Sequence, residues 1–328
     1  MKKSIAWLIG VVFFSAIFSG VLILKANQKK ILGESAGKIF EIAPKTGFSE
    51  IAEKLAEEKI ISSAAVFKIY GAIAGRAHRL KPGRYVFSGE ISAAEVLDIL
   101  IAGPKDIAVT IVPGATLSEI DEQLSSLAII KAGGIINFNV AEAKKTHPWL
   151  ESEVNSLEGF LLPDTYFFMM DSDPGDVVNK VLINFEKKAL TLFNNGVNLE
   201  KLISASLLEK EIPDYEERRL VAGILEKRLA SGMPLQVDAT VIYAKCGKFL
   251  NCPPLNKKDY LIDSPYNSYL YKGWPPAPIA NPSVSAIKAA LQPKKSSYWY
   301  YLSDPKTKKT IFADTLDKHN QNKAIYLK

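Results

Sequence analysis

With 328 residues, 48% of them hydrophobic, the chain is long enough for about two domains and too apolar to be read as disordered. Its net charge of +6 is spread without a dense Lys/Arg block, which argues against nucleic-acid binding and leaves mild attraction to an anionic wall or membrane surface. The histidines (His78, His147, His319) lie far apart without ligand spacing, and there is no phosphate-binding glycine motif or G-x-S-x-G elbow, so neither a metal nor a cofactor is expected.

Residues 4–24 carry no charge and lie between Lys2-Lys3 and Lys25. That length matches the roughly 20 apolar residues of a membrane-spanning helix. It exceeds the apolar core of a cleaved signal peptide, the alternative reading, and no A-x-A site follows. Residues 1–3 then form a cytoplasmic tail, and everything after the span lies on one side, since no later segment is apolar enough to re-cross. Residues 25–38 read as a polar stalk.

From residue 39 a strand (IFEI), a Pro-Lys-Thr-Gly turn and a helix with Ile51, Leu55 and Ile60-Ile61 inward are expected, with Ser49 as N-cap. A helix over Ala64–Ala74, a turn and strand in LKPGRYVFSG, and a helix capped by Ser92 complete an α+β module at 39–104. Residues 107–127 repeat the opening theme: VTIVPGATLSEIDEQLS aligns with FEIAPKTGFSEIAEKLA, as in a partial duplication or as two ordinary strand-turn-helix units. This connecting β-turn-α subdomain spans 105–170 and ends with the aromatic run LEGFLLPDTYFF, which Pro163-Asp164 interrupts.

The segment most informative about chemistry is 199–244, read as two helices joined at Pro213. At about 100° per residue Glu211 falls on the inner face with Leu207 and Leu208, whereas Glu209 points toward water. An inward carboxyl at the C-terminal end of a helix has its pKa pushed up by desolvation and by the helix dipole, and a carboxylic acid protonated near neutral pH can protonate a glycosidic oxygen. Asp214 and Glu217 have capping-box spacing, and Gly232 stops the second helix. PLQVDATVIYA alternates like a strand, with Gln236, Asp238 and Thr240 on one face of a candidate sugar-binding groove. Residues 264–282, with four aromatics, five prolines and two asparagines, suit stacking on sugar rings. Ser283 caps a further helix, and the C-terminus reads as a hairpin of SYWYYLSD and TIFADT ending at His319-Asn320. Cys246 and Cys252, six apart, could close a disulfide loop outside the cytoplasm or remain free thiols.

Taken in order, LEGFLLPDTYFF, SASLLEKE, ILEKRLASGMPLQVDATVIYA, SPYNSYLYKGWPPAPIANPSVSAIKAAL and DKHN resemble the YceG-like (MltG) family of membrane-bound endolytic murein transglycosylases. The resemblance implies an α+β protein with an N-terminal transmembrane helix, a LysM-like module at 39–104 and a mixed α+β catalytic domain at 171–328. It implies non-hydrolytic cleavage of the β-1,4 bond between N-acetylmuramic acid and N-acetylglucosamine inside peptidoglycan strands. Such cleavage leaves 1,6-anhydro-muramyl ends and terminates nascent strands on the extracytoplasmic side of the cytoplasmic (inner) membrane, among the cell-wall synthesis proteins. Glu211 matches the second glutamate of the family's E-K-E motif, its catalytic residue. Substrate contacts are expected from Asp164, Gln236, Asp238, Thr240, Tyr243, Tyr266, Asn267, Tyr269, Asn281, His319 and Asn320. The chain reads QVDATV where the family typically has proline at the position of Ala239. The alternatives are a membrane-tethered peptidoglycan-binding scaffold without turnover and a muramidase that uses water.

Overall fold

A computed structural model describes residues 7, 20–21, 23–32, 38–151, 153–194, 196–307 and 309–327. Most of the expected transmembrane segment, 4–24, therefore lies outside the described residues, and among the described residues no helix is long and apolar enough to cross a membrane. The chain divides into two compact units, Met1–Asp106 and Ile107–Lys328.

In the first unit, Lys29–Leu32 (β1), within the segment read as a stalk, pairs antiparallel with Gly89–Ser92 (β4). Lys38–Ile42 (β2) pairs antiparallel with Gly83–Phe87 (β3), and the helices Phe48–Glu57 (α1) and Ala64–Ile73 (α2) connect them in a β-α-α-β order. Alternation along β2 and β3 buries Phe40, Ile42, Tyr85 and Phe87 on one face, where Ile51, Leu55, Phe67, Val96, Leu97 and Leu100 complete the core. Ser92 caps Ala93–Ala102 (α3) in a reciprocal capping box with Glu95. Ser49 is not the N-cap of α1: that position is Gly47, which has no side chain to accept, and Ser49 falls inside the first turn.

In the second unit Ile107–Ile111 (β5) pairs with Asp164–Phe168 (β6), and Leu117–Ser126 (α4) follows β5 behind a Thr116–Glu119 capping box. Strand, turn and helix thus recur as in β2 and α1. Val140–Thr146 (α5), Pro174–Lys188 (α6), Leu199–Glu211 (α7) and Tyr215–Ala230 (α8) follow. One continuous core joins Val109, Ile111 and Phe160 to Phe185, Leu207, Leu225 and Ile287, so residues before and after 171 share it.

Helix α7 departs from an amphipathic surface helix, because every residue from Leu202 to Leu208 is buried. It therefore has no outer face for Glu209, which does not point into water. Its carboxylate pairs with Arg218 of α8 at 2.7 Å, both side chains under a tenth exposed, and it accepts from the Ser283 backbone N–H at 2.8 Å.

PLQVDATVIYA is not a strand. After Gln236, whose φ of 54° lies in the left-handed region, Asp238–Cys246 forms a helix (α9) with Asp238 in its first turn and Gly247 closing it in the left-handed conformation. The buried run Ala239, Thr240, Val241 spans adjacent positions, which a two-residue alternation cannot bury together. Cys246 and Cys252 form a disulfide at the end of this helix. Val284–Leu291 (α10), capped by Ser283, packs on α7 and α8. The C-terminal hairpin is present as Tyr300–Ser303 (β7) and Thr310–Ala313 (β8), but His319-Asn320 does not end it: they belong to a further helix, Leu316–Tyr326 (α11), capped by Thr315.

Candidate active site

Pro213, two residues past the end of α7, stops that helix at Glu211, and Ile212 is already extended. The Glu211 carboxyl is therefore presented at a helix terminus rather than along a packed flank. It faces a cavity of about 380 Å³ whose lining includes Arg228 of α8, Gln236, Asp238, Tyr269, Tyr300 and Tyr301 of β7, and His319 of α11. The backbone N–H of Ala239 donates to Glu211 Oε1 at 3.3 Å, and the Ser303 hydroxyl donates to the Glu211 carbonyl oxygen at 3.4 Å.

Burial pushes the Glu211 carboxyl up to about 7, the nearby Asp238 charge adds to the rise, and the Ala239 N–H works against it. The acid is thus balanced between protonated and ionised forms at neutral pH. Tyr301, which lines the same cavity, is also pushed up by burial. His319 stacks on Tyr300, and burial lowers it to about 4, so it faces the cavity as a neutral imidazole.

Of the residues expected at the site, the structure brings Glu211, Gln236, Asp238, Tyr269 and His319 together. The others are used elsewhere. Asp164, on β6, is ion-paired with Lys188 and accepts from Asn184 at 2.8 Å, which holds its carboxyl below the usual range. Thr240 shares a hydrogen bond of 2.8 Å with Ser268, and Asn267, fully buried, donates to the carbonyl oxygens of Tyr260 and Ile262. Asn281 is a buried hub: its Oδ1 accepts from Gly159 and Leu161 N–H, and its Nδ2 donates to Ala115 O and Glu158. Tyr243 donates to Glu158 at 3.2 Å and packs against Tyr266. Asn320 is exposed on α11 and does not line the cavity. The 264–282 segment is held as a strap that contributes Tyr269 to the cavity: Tyr266 and Trp274 pack on the core, Tyr271 is exposed, and Asn267 and Asn281 fix its path.

Sequence reasoning missed Arg228, Tyr300 and Tyr301 in the cavity wall. Arg228 lies about two turns beyond Val221 on the same buried side of α8, which an apolar-stripe reading does not assign to an arginine. Its Nε donates to Trp299 O at 2.8 Å and its Nη1 to Leu235 O at 2.6 Å, and those carbonyls satisfy the buried cation. Tyr300 and Tyr301 are adjacent aromatics of β7, and nothing in their spacing distinguishes them from ordinary hairpin residues.

Glu158 was also missed. It is 2% exposed and accepts from Leu117 N–H at 3.1 Å, Tyr243 and Asn281, and burial raises it to about 8. Because its folded pKa lies above its unfolded value near 4.5, the stability it contributes is full below about pH 4.5 and is lost as pH rises toward 8. The thermal midpoint should fall as pH is raised across that window, and Glu158→Gln should flatten the slope; an unchanged slope would remove Glu158 as its cause.

The profile of the YceG-like family matches residues 40–325, most of the chain. The chain belongs to the YceG-like family. This YceG-like protein is 31% identical over 299 residues to the endolytic murein transglycosylase of Bacillus subtilis, covering 85% of this chain and 82% of that one. It is 27% identical to the endolytic murein transglycosylase of Streptococcus pneumoniae strain R6, covering 96% of this chain but 62% of the pneumococcal protein. The crystal structure of a yceG-like protein from Listeria monocytogenes is 29% identical and superposes with a TM-score of 0.56, covering 88% of this chain and 100% of that one.

Proposed function

We propose that this YceG-like protein is an endolytic lytic transglycosylase that cuts peptidoglycan glycan strands with Glu211 as its acid and base. The observation that carries the reading is a carboxyl raised to about 7 at the end of α7, facing a cavity walled by tyrosines, Gln236 and Arg228. The relatives named endolytic murein transglycosylases support the substrate class.

In this reaction protonated Glu211 gives its proton to the glycosidic oxygen, the O4 of the departing N-acetylglucosamine, as the bond to muramyl C1 breaks. The resulting carboxylate takes the proton from the muramyl 6-hydroxyl as O6 bonds to C1. Glu211 ends protonated, no water is consumed, and a 1,6-anhydro ring forms. One carboxyl serves both steps, whereas hydrolytic glycosidases usually need a second as nucleophile or base. Asp238, the other acid in the cavity, has Oδ1 occupied by the hydroxyls of Tyr269 at 2.5 Å and Tyr260 at 3.2 Å.

The same proposal places the N-terminal segment in the cytoplasmic membrane, since residues 4–24 carry no charge. The β-α-α-β order of residues 38–87 supports the LysM-like reading and a glycan-binding role for that unit. Mass spectrometry of products from isolated peptidoglycan tests the reaction. Anhydro-muramyl ends are expected, and ends one water heavier would replace transglycosylation by hydrolysis.

A further inference from the structure

Besides burial, the groups that act on the Glu211 carboxyl come from the first turn of α9. The Ala239 N–H is among the first four of that helix, which have no intrahelical acceptor, and it is directed at Glu211 Oε1. One residue earlier, the Asp238 carboxylate is held by two hydroxyls, those of Tyr260 and Tyr269, whose rings meet edge to face at 4.8 Å. That grip fixes a negative charge in the wall of the cavity Glu211 faces.

The other charged or titratable groups around the cavity are Tyr300 and Tyr301 of β7, Arg228 of α8, and His319 and Lys323 of α11. Arg228 is turned toward the carbonyl oxygens of Trp299 and Leu235, and its guanidinium lies over the Tyr300 ring, whereas His319 is neutral. Asp238 is thus the fixed anion that shares the cavity with Glu211.

We propose that Asp238 and Ala239 are positioning residues with opposed effects: the clamped Asp238 carboxylate keeps the proton on Glu211, and the Ala239 N–H steadies the carboxylate left once the proton has gone. The first influence favours the opening step of the cleavage and the second favours the closing step, so the inference rests on the acid-base reading of Glu211. The directions of the two influences on Glu211, upward from Asp238 and downward from Ala239, agree with it.

Two substitutions separate the roles. Asp238→Asn keeps the shape and an acceptor for both tyrosines but removes the charge. Ala239→Pro, the residue the family typically carries at this position, removes the N–H that Glu211 accepts, in a first turn where the helix does not use it. Titration of the Glu211 carboxyl by NMR in the full chain should move down by about one pH unit in D238N and up in A239P. The basic limb of the pH profile for strand cleavage should move the same way. Thermal melting identifies a variant that does not fold, in which case the other decides alone. A Glu211 titration that does not move, or moves in one direction in both variants, overturns the proposal. If the titrations move as expected but the wild-type chain cleaves no strands, the electrostatic roles stand and the transglycosylase reading falls.

Discussion

Glu211→Gln should abolish strand cleavage, lowering the rate by about 10³-fold or more, while the protein stays folded. The amide keeps nearly the same shape and still accepts from Ala239 N–H, but it can neither give a proton to the glycosidic oxygen nor take one from the muramyl 6-hydroxyl. General acid-base catalysis is worth about 10²–10⁴-fold, and in the proposed reaction one side chain serves both proton transfers. Release of anhydro-muropeptides from purified peptidoglycan, beside a thermal melt, is the measurement. Undiminished release would take Glu211 out of the reaction. Retained glycan binding without any release by the wild type would favour the tethered scaffold.

Glu209→Ala should have the largest effect on folding, about 3–5 kcal/mol, because it leaves the buried Arg218 guanidinium without its anion. Arg218 Nε would keep its bond to Ile212 O, and Ser283 would lose its acceptor at the start of α10. By contrast, Glu216→Ala should change stability by less than about 1 kcal/mol, because its pair with Arg219 lies at the surface. Chemical denaturation of the two variants measures the difference, and equal midpoints would mean that Glu209 does not fasten α7.

The elements legible in the sequence are those whose local chemistry decides them. Ser92 and Ser283 cap their helices, and Pro213 ends α7 at Glu211, which meets the cavity there. What was not legible depends on partners distant in sequence. Glu209 looks solvated because a helical wheel assumes one wet face, whereas α7 is packed against both α8 and α10. Asp238–Cys246 looks like a strand because alternation over a few residues cannot reveal that Gln236 turns the chain and that Asp238 opens a helix. Asn267 and Asn281 look like sugar ligands because their type fits that task, but buried backbone groups of Tyr260, Gly159 and Leu161 use them instead. Helix α11, which brings His319 to the cavity, mixes polar and apolar residues all round and has no stripe to announce it.

Glu209 and Glu211 share the final turn of α7, the part of a helix most given to fraying. Riveting Glu209 to Arg218 and Ser283 restrains the chain two residues from the proposed acid, for which a displacement of about 1 Å can cost about a hundredfold in rate. Rigidity is therefore concentrated where the proposed proton transfer tolerates wobble least, and the exposed Pro213 turn beyond it is left free of that demand.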